Sequence, residues 1–204
     1  MTKVLPETEQ APLIIHLRPV IELTDDQFFE FCQINHDLRI ERTAEGDLVI
    51  MPPEGGETGH RSAILVTMLT QWALQDGTGV TFGSSTGFNL PNGATRAPDA
   101  AWVRRSRLAT LTADQKQKFL PLCPDFVVEI RSPSDRLSIA QAKMQEYVDN
   151  GAPLGWLIDP QSRHVYVYRP NRPVERLENP ATLVGNPVLP GFVLDLHKIW
   201  ETNF

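Results

Sequence analysis

The chain has 204 residues, of which 41% are hydrophobic and 22% are charged. This composition is typical of a globular protein and excludes an intrinsically disordered one. The length and the apolar content predict a single domain over residues 24–204, preceded by an extended arm over residues 1–23. No stretch reaches the roughly 20 consecutive apolar residues of a membrane span, so we expect no membrane association and a cytoplasmic location.

The formal net charge is -6, whereas proteins that bind nucleic acid usually carry a basic surface. The charge is unevenly distributed, because residues 61–143 hold ten basic and six acidic side chains while both flanking segments are acidic. A site for an anionic ligand is therefore expected in the middle segment. The sequence has no P-loop, GxGxxG, HExxH or GxSxG motif, which removes the usual signatures of nucleotide binding, zinc proteolysis and esterase chemistry.

The first part of the domain predicts a helix followed by a hairpin. The capping box TDDQ at residues 24–27 begins the helix, and Phe28, Phe29 and Phe31 supply its buried face. Two alternating segments within residues 38–51, separated by the turn sequence EGD, predict a β-hairpin.

The middle segment predicts a long helix over residues 57–76, which Gly77 ends. Two short strands follow within residues 80–91, and a further strand is predicted over residues 98–103. A second capping box, TADQ at residues 112–115, begins a short helix.

Residues 126–130 are nearly all apolar, which is typical of a central strand that is buried on both faces. A helix is predicted over residues 135–150, and two strands over residues 154–159 and 164–168. The order strand, helix, strand favours a crossover in a mixed sheet, and hence an α/β fold. The proline-rich tail is expected to wrap around the domain.

Two carboxylates in these strands are candidates for binding a metal ion. Asp99 opens one strand, and Glu129 lies inside the apolar strand, where an isolated ionised carboxylate is costly unless a cation or several donors meet it. On neighbouring strands the two would form an oxygen-rich pocket for a hard divalent cation such as Mg²⁺ or Mn²⁺. Pairing of Glu129 with a buried arginine explains the same pattern, and the residues alone leave both interpretations open.

Four motifs occur in a fixed order: PD at residues 98–99, VVEIRSPS at residues 127–134, a helix with Lys and Tyr at residues 143–147, and GWLIDP at residues 155–160. Together they resemble the Uma-two family of bacterial restriction endonucleases, over about residues 24–200. The resemblance implies the restriction endonuclease-like fold of the PD-(D/E)XK nucleases, a mixed β-sheet flanked by α-helices, here with an N-terminal helix and hairpin. It also implies that Asp99 and Glu129 are catalytic residues that bind the metal.

The lysine of the superfamily pattern is missing, because Arg131 stands where the lysine of ExK would be. Arginine stays protonated, so it cannot act as a base, although it can bind a phosphate. The resemblance implies a lysine that has migrated to the following helix, and Lys143 is the candidate for this third catalytic residue. A solvent-exposed helix lysine without a catalytic role is the alternative.

Five further residues are predicted around the site. Glu41 matches an early glutamate of the family and is predicted to complete the metal site, unless it is an ordinary surface residue. His60 matches a family histidine and is predicted to point inward and contact substrate, with a hydrogen-bonded structural histidine as the alternative. Arg96, Arg131 and Arg136 lie near the motif strands in sequence and are predicted to bind substrate phosphates.

The function implied is hydrolysis of DNA phosphodiester bonds by a Mg²⁺-dependent endonuclease, with Mn²⁺ as the other candidate cation. Because cutting both strands of a duplex favours two sites related by symmetry, we expect a homodimer. The alternative is a nuclease-fold protein that binds nucleic acid or a protein without cutting. The choice between DNA and RNA stays open in the sequence.

Overall fold

The computed structural model describes residues 12–202 and residue 204, and helices and strands are interspersed along this part of the chain. The helices are α1 (Asp25–Ile34), α2 (Gly56–Asp76), α3 (Arg105–Leu108), α4 (Ala113–Gln117), α5 (Leu137–Asp149) and α6 (His197–Trp200). The strands are β1 (Leu13–Ile15), β2 (Arg39–Arg42), β3 (Leu48–Met51), β4 (Gly79–Gly83), β5 (Phe88–Asn89), β6 (Thr95–Arg96), β7 (Ala100–Arg104), β8 (Phe126–Ile130), β9 (Leu154–Asp159), β10 (His164–Tyr168), β11 (Glu175–Glu178), β12 (Thr182–Val184) and β13 (Val193–Asp195).

The largest sheet has six strands in the order β11-β10-β9-β8-β7-β4. Strands β8 and β9 run parallel and are connected by α5, whereas the other neighbours in this sheet are antiparallel. The sheet is therefore mixed, and it is flanked by helices, as the sequence predicted.

Both faces of this sheet are covered, which explains why β8 is apolar along its length. Phe126, Val128 and Ile130 belong to a core formed with α2 and the C-terminal segment. Val127 belongs to the opposite core, which α5 covers. Because side chains alternate along a strand, Glu129 lies on the α5 face.

Helix α5 approaches the sheet closely at Gly155 on β9. A Cβ atom at this position would lie 2.5 Å from Cε of Met144 on α5, so a larger residue would force Met144 to move. This close packing holds the neighbouring residue of the helix, Lys143, over the end of β8.

A second sheet has five strands in the order β1-β3-β2-β6-β5. Strand β2 pairs with β3 in the predicted hairpin, and it pairs with β6 through Arg42 opposite Thr95. Since β6 leads directly into the segment before β7, this pairing brings β2 beside Asp99.

Most of the predicted elements are confirmed. Thr24 and Thr112 each accept a hydrogen bond from the third residue of their helix, and the glutamine there bonds back, as both capping boxes predicted. Gly77 ends α2 with a φ of +74°. Residues 13–15 of the predicted arm form β1 against β3, and residues 1–11 lie outside the described residues.

The prediction that His60 points inward is wrong. The buried positions near the start of α2 include Arg61 and Leu65, so the helical phase turns His60 to the surface. There its ring lies edge-on to Phe204, with 5.2 Å between the ring centroids.

Two smaller expectations also need correction. Phe31 is 37% exposed, because Phe28 occupies the fully buried position of α1. The proline-rich tail does more than wrap the domain, since it adds β11 to the large sheet and forms the β12-β13 hairpin. None of the described helices combines the length and the apolar character needed to cross a membrane.

Candidate active site

Asp99 and Glu129 face each other across two neighbouring strands. Ala100 pairs with Val128 in the antiparallel β7-β8 ladder, so extending the register by one residue places Asp99 opposite Glu129, on the same face of the sheet. The Asp99 carboxylate also accepts a hydrogen bond from the backbone N–H of Ile130 at 2.8 Å. The strand end thereby fixes one carboxylate beside the other.

Glu129 is partly buried, with 12% of its side chain exposed, and its side-chain partners among the described residues come from α5. Its Oε1 atom accepts a hydrogen bond from the Tyr147 hydroxyl at 3.1 Å and lies 2.8 Å from Nζ of Lys143. Lys143 and Tyr147 are one helical turn apart, so one face of α5 supplies both contacts. Burial raises the pKa of Glu129 to about 7, Lys143 acts to lower it, and the nearby charge of Asp99 raises it further.

Lys143 lies between two glutamates. Its Nζ atom is 2.8 Å from Glu129 and donates a hydrogen bond of 2.8 Å to Glu41 on β2. Burial alone disfavours the charged amine, but Glu129 and Glu41 outweigh it and raise the pKa of Lys143. The side chain is therefore an ammonium ion. At 16% exposure it is not the solvent-exposed lysine of the alternative, and its catalytic role stays a prediction.

Glu41 is not a surface residue, since it is only 3% exposed. Its carboxylate accepts hydrogen bonds from Nζ of Lys143, from the backbone N–H of Ala97 at 2.9 Å and from Arg96 at 3.2 Å. Burial acts to raise the pKa of Glu41, but Lys143 and Arg96 outweigh it and hold the pKa below its usual range. The ionised form of this carboxylate is thus well accommodated.

Arg96 and Arg39 place two further cations at the site. Arg96 joins Glu41 to Glu146 on α5, to which its Nε atom donates at 2.6 Å. Arg39 on β2 donates to Glu54 at 2.8 Å, and its Nη2 atom lies 3.4 Å from Asp99. Burial and the Arg39 charge act in opposite directions on Asp99, and burial prevails, so the pKa of Asp99 is raised.

These contacts form two sets of ionisable groups, one around Arg39 and one around Lys143 and Arg96. The two sets meet where the charge of Asp99 acts on Glu129 across the β7-β8 ladder, and we call the eight groups together the carboxylate cluster. Its members are Arg39, Glu41, Glu54, Arg96, Asp99, Glu129, Lys143 and Glu146. The five carboxylates outnumber the three cations by two when all the groups are ionised. The cluster therefore has a deficit of positive charge equal to that of one divalent cation.

Three of the predicted site residues lie apart from these contacts. Arg131 donates to Asp159 at 3.1 Å and to the backbone carbonyl of Asp135 at 3.0 Å. Arg136 is the exposed N-cap residue of α5. His60 lies at the surface beside Phe204. The structure thus brings together Glu41, Arg96, Asp99, Glu129 and Lys143 and leaves the other three apart, and the roles of all eight stay predictions.

Sequence reasoning missed four members or neighbours of the cluster: Arg39, Glu54, Glu146 and Tyr147. A signal existed for two of them. Arg39 shares the alternating phase of Glu41 on β2, so both side chains project from one face of the strand. Tyr147 shares a helix face with Lys143. No local pattern marks Glu54, which reaches the site only through the tertiary fold.

A solved structure from Anabaena variabilis, described as that of "a putative nuclease belonging to DUF820", is similar to this chain with a TM-score of 0.70 and 20% sequence identity. The similarity covers 88% of this chain and 98% of that one, and it confirms the nuclease-like α/β fold. No curated protein matches the chain. The family model Uma2, described as "Putative restriction endonuclease", matches residues 25–197. The chain therefore belongs to the Uma-two family.

Proposed function

We propose that this protein is a Mg²⁺-dependent endonuclease that hydrolyses phosphodiester bonds of DNA, with Asp99, Glu129 and Lys143 as catalytic residues. The observation that carries the proposal is the opposed pair Asp99 and Glu129, with an ammonium ion 2.8 Å from Glu129. Both carboxylates have raised pKa values because burial penalises their charge. Such a pair is stabilised by a cation, which is typical of a functional site.

The donor set fits Mg²⁺. This ion usually takes only one or two protein carboxylates and completes its shell with water and substrate phosphate oxygens. Within residues 12–202 and 204, no group of three or more His, Cys, Asp or Glu side chains is arranged to hold a metal. The two carboxylates of Asp99 and Glu129 support an open magnesium site shared with substrate, and Mn²⁺ has the same ligand preference.

Each protein group has a role in the proposed reaction. When bound, the divalent cation supplies positive charge beside the phosphate and lowers the pKa of the attacking water. Lys143 remains protonated, so it stabilises the negative charge that develops on the phosphate and does not remove a proton. For Glu41 we propose a positioning role, because its oxygens already face donors from Lys143, Arg96 and Ala97.

The substrate and the assembly are also proposals. The family description refers to restriction endonucleases, and that supports DNA as the polymer. The net positive charge of residues 61–143, which contain Asp99, Glu129 and Lys143, is compatible with a polyanion. A homodimer is proposed because a duplex presents two strands to be cut.

The test is nicking of supercoiled plasmid DNA with Mg²⁺ or Mn²⁺. We expect cleavage by the unmodified protein and a loss of at least about 100-fold in Asp99→Asn and in Glu129→Gln, since each variant removes one charged oxygen ligand. Arg176→Gln, at an exposed edge strand, is a matched control that should cleave normally. Equal cleavage by Glu129→Gln and the unmodified protein would refute the proposal.

A second function, binding without cleavage, is favoured by one observation. The Lys143 ammonium lies 2.8 Å from Glu129 and itself neutralises part of the charge of this carboxylate. The same plasmid assay separates the two functions when it is combined with a gel-shift measurement. Retarded but uncut DNA in the presence of Mg²⁺ and Mn²⁺ would favour the binding function, and an RNA substrate run in parallel distinguishes the polymer.

A further inference from the structure

Arg39 is a cation of the carboxylate cluster that the proposed mechanism does not use. It lies on β2 two residues before Glu41, so both side chains project from the same face of the strand. Its guanidinium group reaches across to Asp99, and it also binds Glu54 and the backbone carbonyl of Ala97. It is therefore attached directly to one of the two proposed metal ligands.

The hydrogen bonds of Arg39 are incomplete. Its contact with Asp99 is 3.4 Å long, well beyond the 2.7–2.9 Å that is typical of a charge-assisted hydrogen bond. Within the described part of the chain its Nε atom is buried and has no hydrogen-bond partner. The contact with Asp99 is the longest of the three that the guanidinium group makes, so Asp99 is the partner that it can exchange for another anion.

Arg96 is the natural comparison, because it belongs to the same cluster. Arg96 binds Glu41 at 3.2 Å and Glu146 at 2.6 Å, and its side chain is 13% exposed. The Arg39 side chain is 27% exposed and therefore more accessible to a ligand. Of these two arginines, Arg39 is better placed to meet a substrate.

A cavity of about 510 Å³ opens next to Arg39. Its lining includes Arg39, Arg96, Ala97, His36, Ser84 and Ser85. The two arginines supply positive charge beside the carboxylates of Asp37 and Glu54 in the same lining, and the serines and the histidine supply hydrogen-bonding groups. The cavity meets the carboxylate cluster at Arg39, Glu54 and Arg96.

We propose that Arg39 binds a phosphate of the substrate strand, and that the cavity receives the nucleotide attached to that phosphate. Resting on the proposed function, this assigns the substrate strand to the β2 side of the carboxylate cluster. The planar guanidinium group suits two oxygens of one phosphate. Asp99 would attract Arg39 less strongly if it held a divalent cation, and Arg39 would then be available to the phosphate.

The experiment measures binding of a fluorescein-labelled DNA duplex by anisotropy at several salt concentrations, with Ca²⁺ in place of Mg²⁺ to read binding apart from cleavage. Arg39→Gln should weaken binding about 10-fold and lower the salt slope by about one, the amount expected for one lost phosphate contact. Arg39→Lys, which keeps the charge and loses the planar group, should give an intermediate affinity. Arg176→Gln is the control and should bind as the unmodified protein does.

Glu54→Gln separates this role from a structural one. If Arg39 serves substrate, removing its competing carboxylate leaves DNA binding unchanged or makes it tighter. If Arg39 only anchors Glu54, the same variant weakens binding and lowers the melting temperature. Should Arg39→Gln itself melt at a lower temperature, the affinity of Arg39→Lys relative to the unmodified protein decides the question.

The outcomes distinguish this inference from the proposed function. DNA binding by the unmodified protein with the same affinity and salt slope in Arg39→Gln overturns the role of Arg39 alone. Undiminished nicking by Glu129→Gln overturns the proposed catalytic site alone. Failure of the unmodified protein to bind the duplex at any salt concentration overturns both.

Discussion

Glu41 on β2 is buried and Glu129 on β8 is partly buried, and both lie 2.8 Å from Nζ of Lys143, yet their pKa values move in opposite directions. Lys143 and Arg96 hold the pKa of Glu41 below its usual range against the effect of burial. Burial raises the pKa of Glu129 to about 7, and the neighbouring charge of Asp99 adds to the effect. The two glutamates therefore belong to different regions of one cluster.

The difference shows that burial alone does not identify a functional carboxylate. Glu41 meets an ammonium, a guanidinium and a backbone N–H, so its charge is neutralised within the protein. Glu129 meets one shared ammonium and one phenol, and it faces a second acid across the ladder. In this cluster Glu41 holds Lys143 in place, whereas Glu129 is the group that a cation would stabilise.

The largest effect is expected from Lys143→Met, because this change removes the cation that both glutamates share. Losing one partner of a buried ion pair leaves uncompensated charge, so the free energy of unfolding should fall by roughly 3 kcal/mol at neutral pH. Urea denaturation measures this change. Lys116→Met on the exposed face of α4 is the control, and an equal midpoint in the two variants would contradict the shared role of Lys143.

Glu41→Gln should destabilise the protein by about 2 kcal/mol, since Lys143 and Arg96 lose a charged acceptor. The pKa of Glu41 is lowered in the folded state, so its stabilising effect is present above the ordinary pKa of 4.5 and is lost as the pH falls. The difference between this variant and the unmodified protein should therefore shrink in acid. A difference that grows as the pH falls would argue against the assignment.

Glu129→Gln should change the free energy of unfolding of metal-free protein in the opposite direction to Glu41→Gln. The folded pKa of about 7 exceeds the ordinary 4.5, so ionisation of Glu129 reduces stability as the pH rises between these values. At about pH 8 the variant should be more stable than the unmodified protein by roughly 3 kcal/mol, and near pH 4.5 the two should be equal. Thermal denaturation at both pH values checks this. A destabilised variant at the higher pH would show that ionised Glu129 stabilises the fold, as Glu41 does.

The smallest effect is expected from Tyr147→Phe, which removes one hydrogen bond to Glu129. Because the phenol donates to the ionised carboxylate, its loss should raise the pKa of Glu129 further. The acid limb of the cleavage profile should then move to higher pH by about half a unit, with little change in the rate above it. Tyr166→Phe, on β10, serves as the matched control, and identical acid limbs for both variants would contradict a role for Tyr147.

Much of the fold could be predicted from local sequence. The capping boxes at Thr24 and Thr112 and the stop at Gly77 act within a few residues, so the sequence is sufficient to find them. The strand over residues 126–130 could be found because a strand covered on both faces must be apolar. The exposure of Phe31 and His60 could not, since it depends on which helix face packs against other elements.

The cluster was only partly predictable for the same reason. Asp99 and Glu129 stand out because a carboxylate inside or beside an apolar strand requires compensation. The burial of Glu41 arises from pairing between β2 and β6, which are far apart in sequence, and no local pattern reveals it. The partner of Glu129 proved to be Lys143, whereas pattern alone also allowed a buried arginine.

Isothermal titration calorimetry of Mn²⁺ binding to metal-free protein tests most directly whether Asp99 and Glu129 form the metal pair. The titration is made at about pH 8, where Glu129 is ionised. We expect the unmodified protein to bind Mn²⁺ and Glu129→Gln to lose this binding. We expect Glu41→Gln, shown separately to be folded, to retain it. Retention of Mn²⁺ binding by Glu129→Gln, together with its loss in Glu41→Gln, would contradict the assignment of Asp99 and Glu129 as the metal pair.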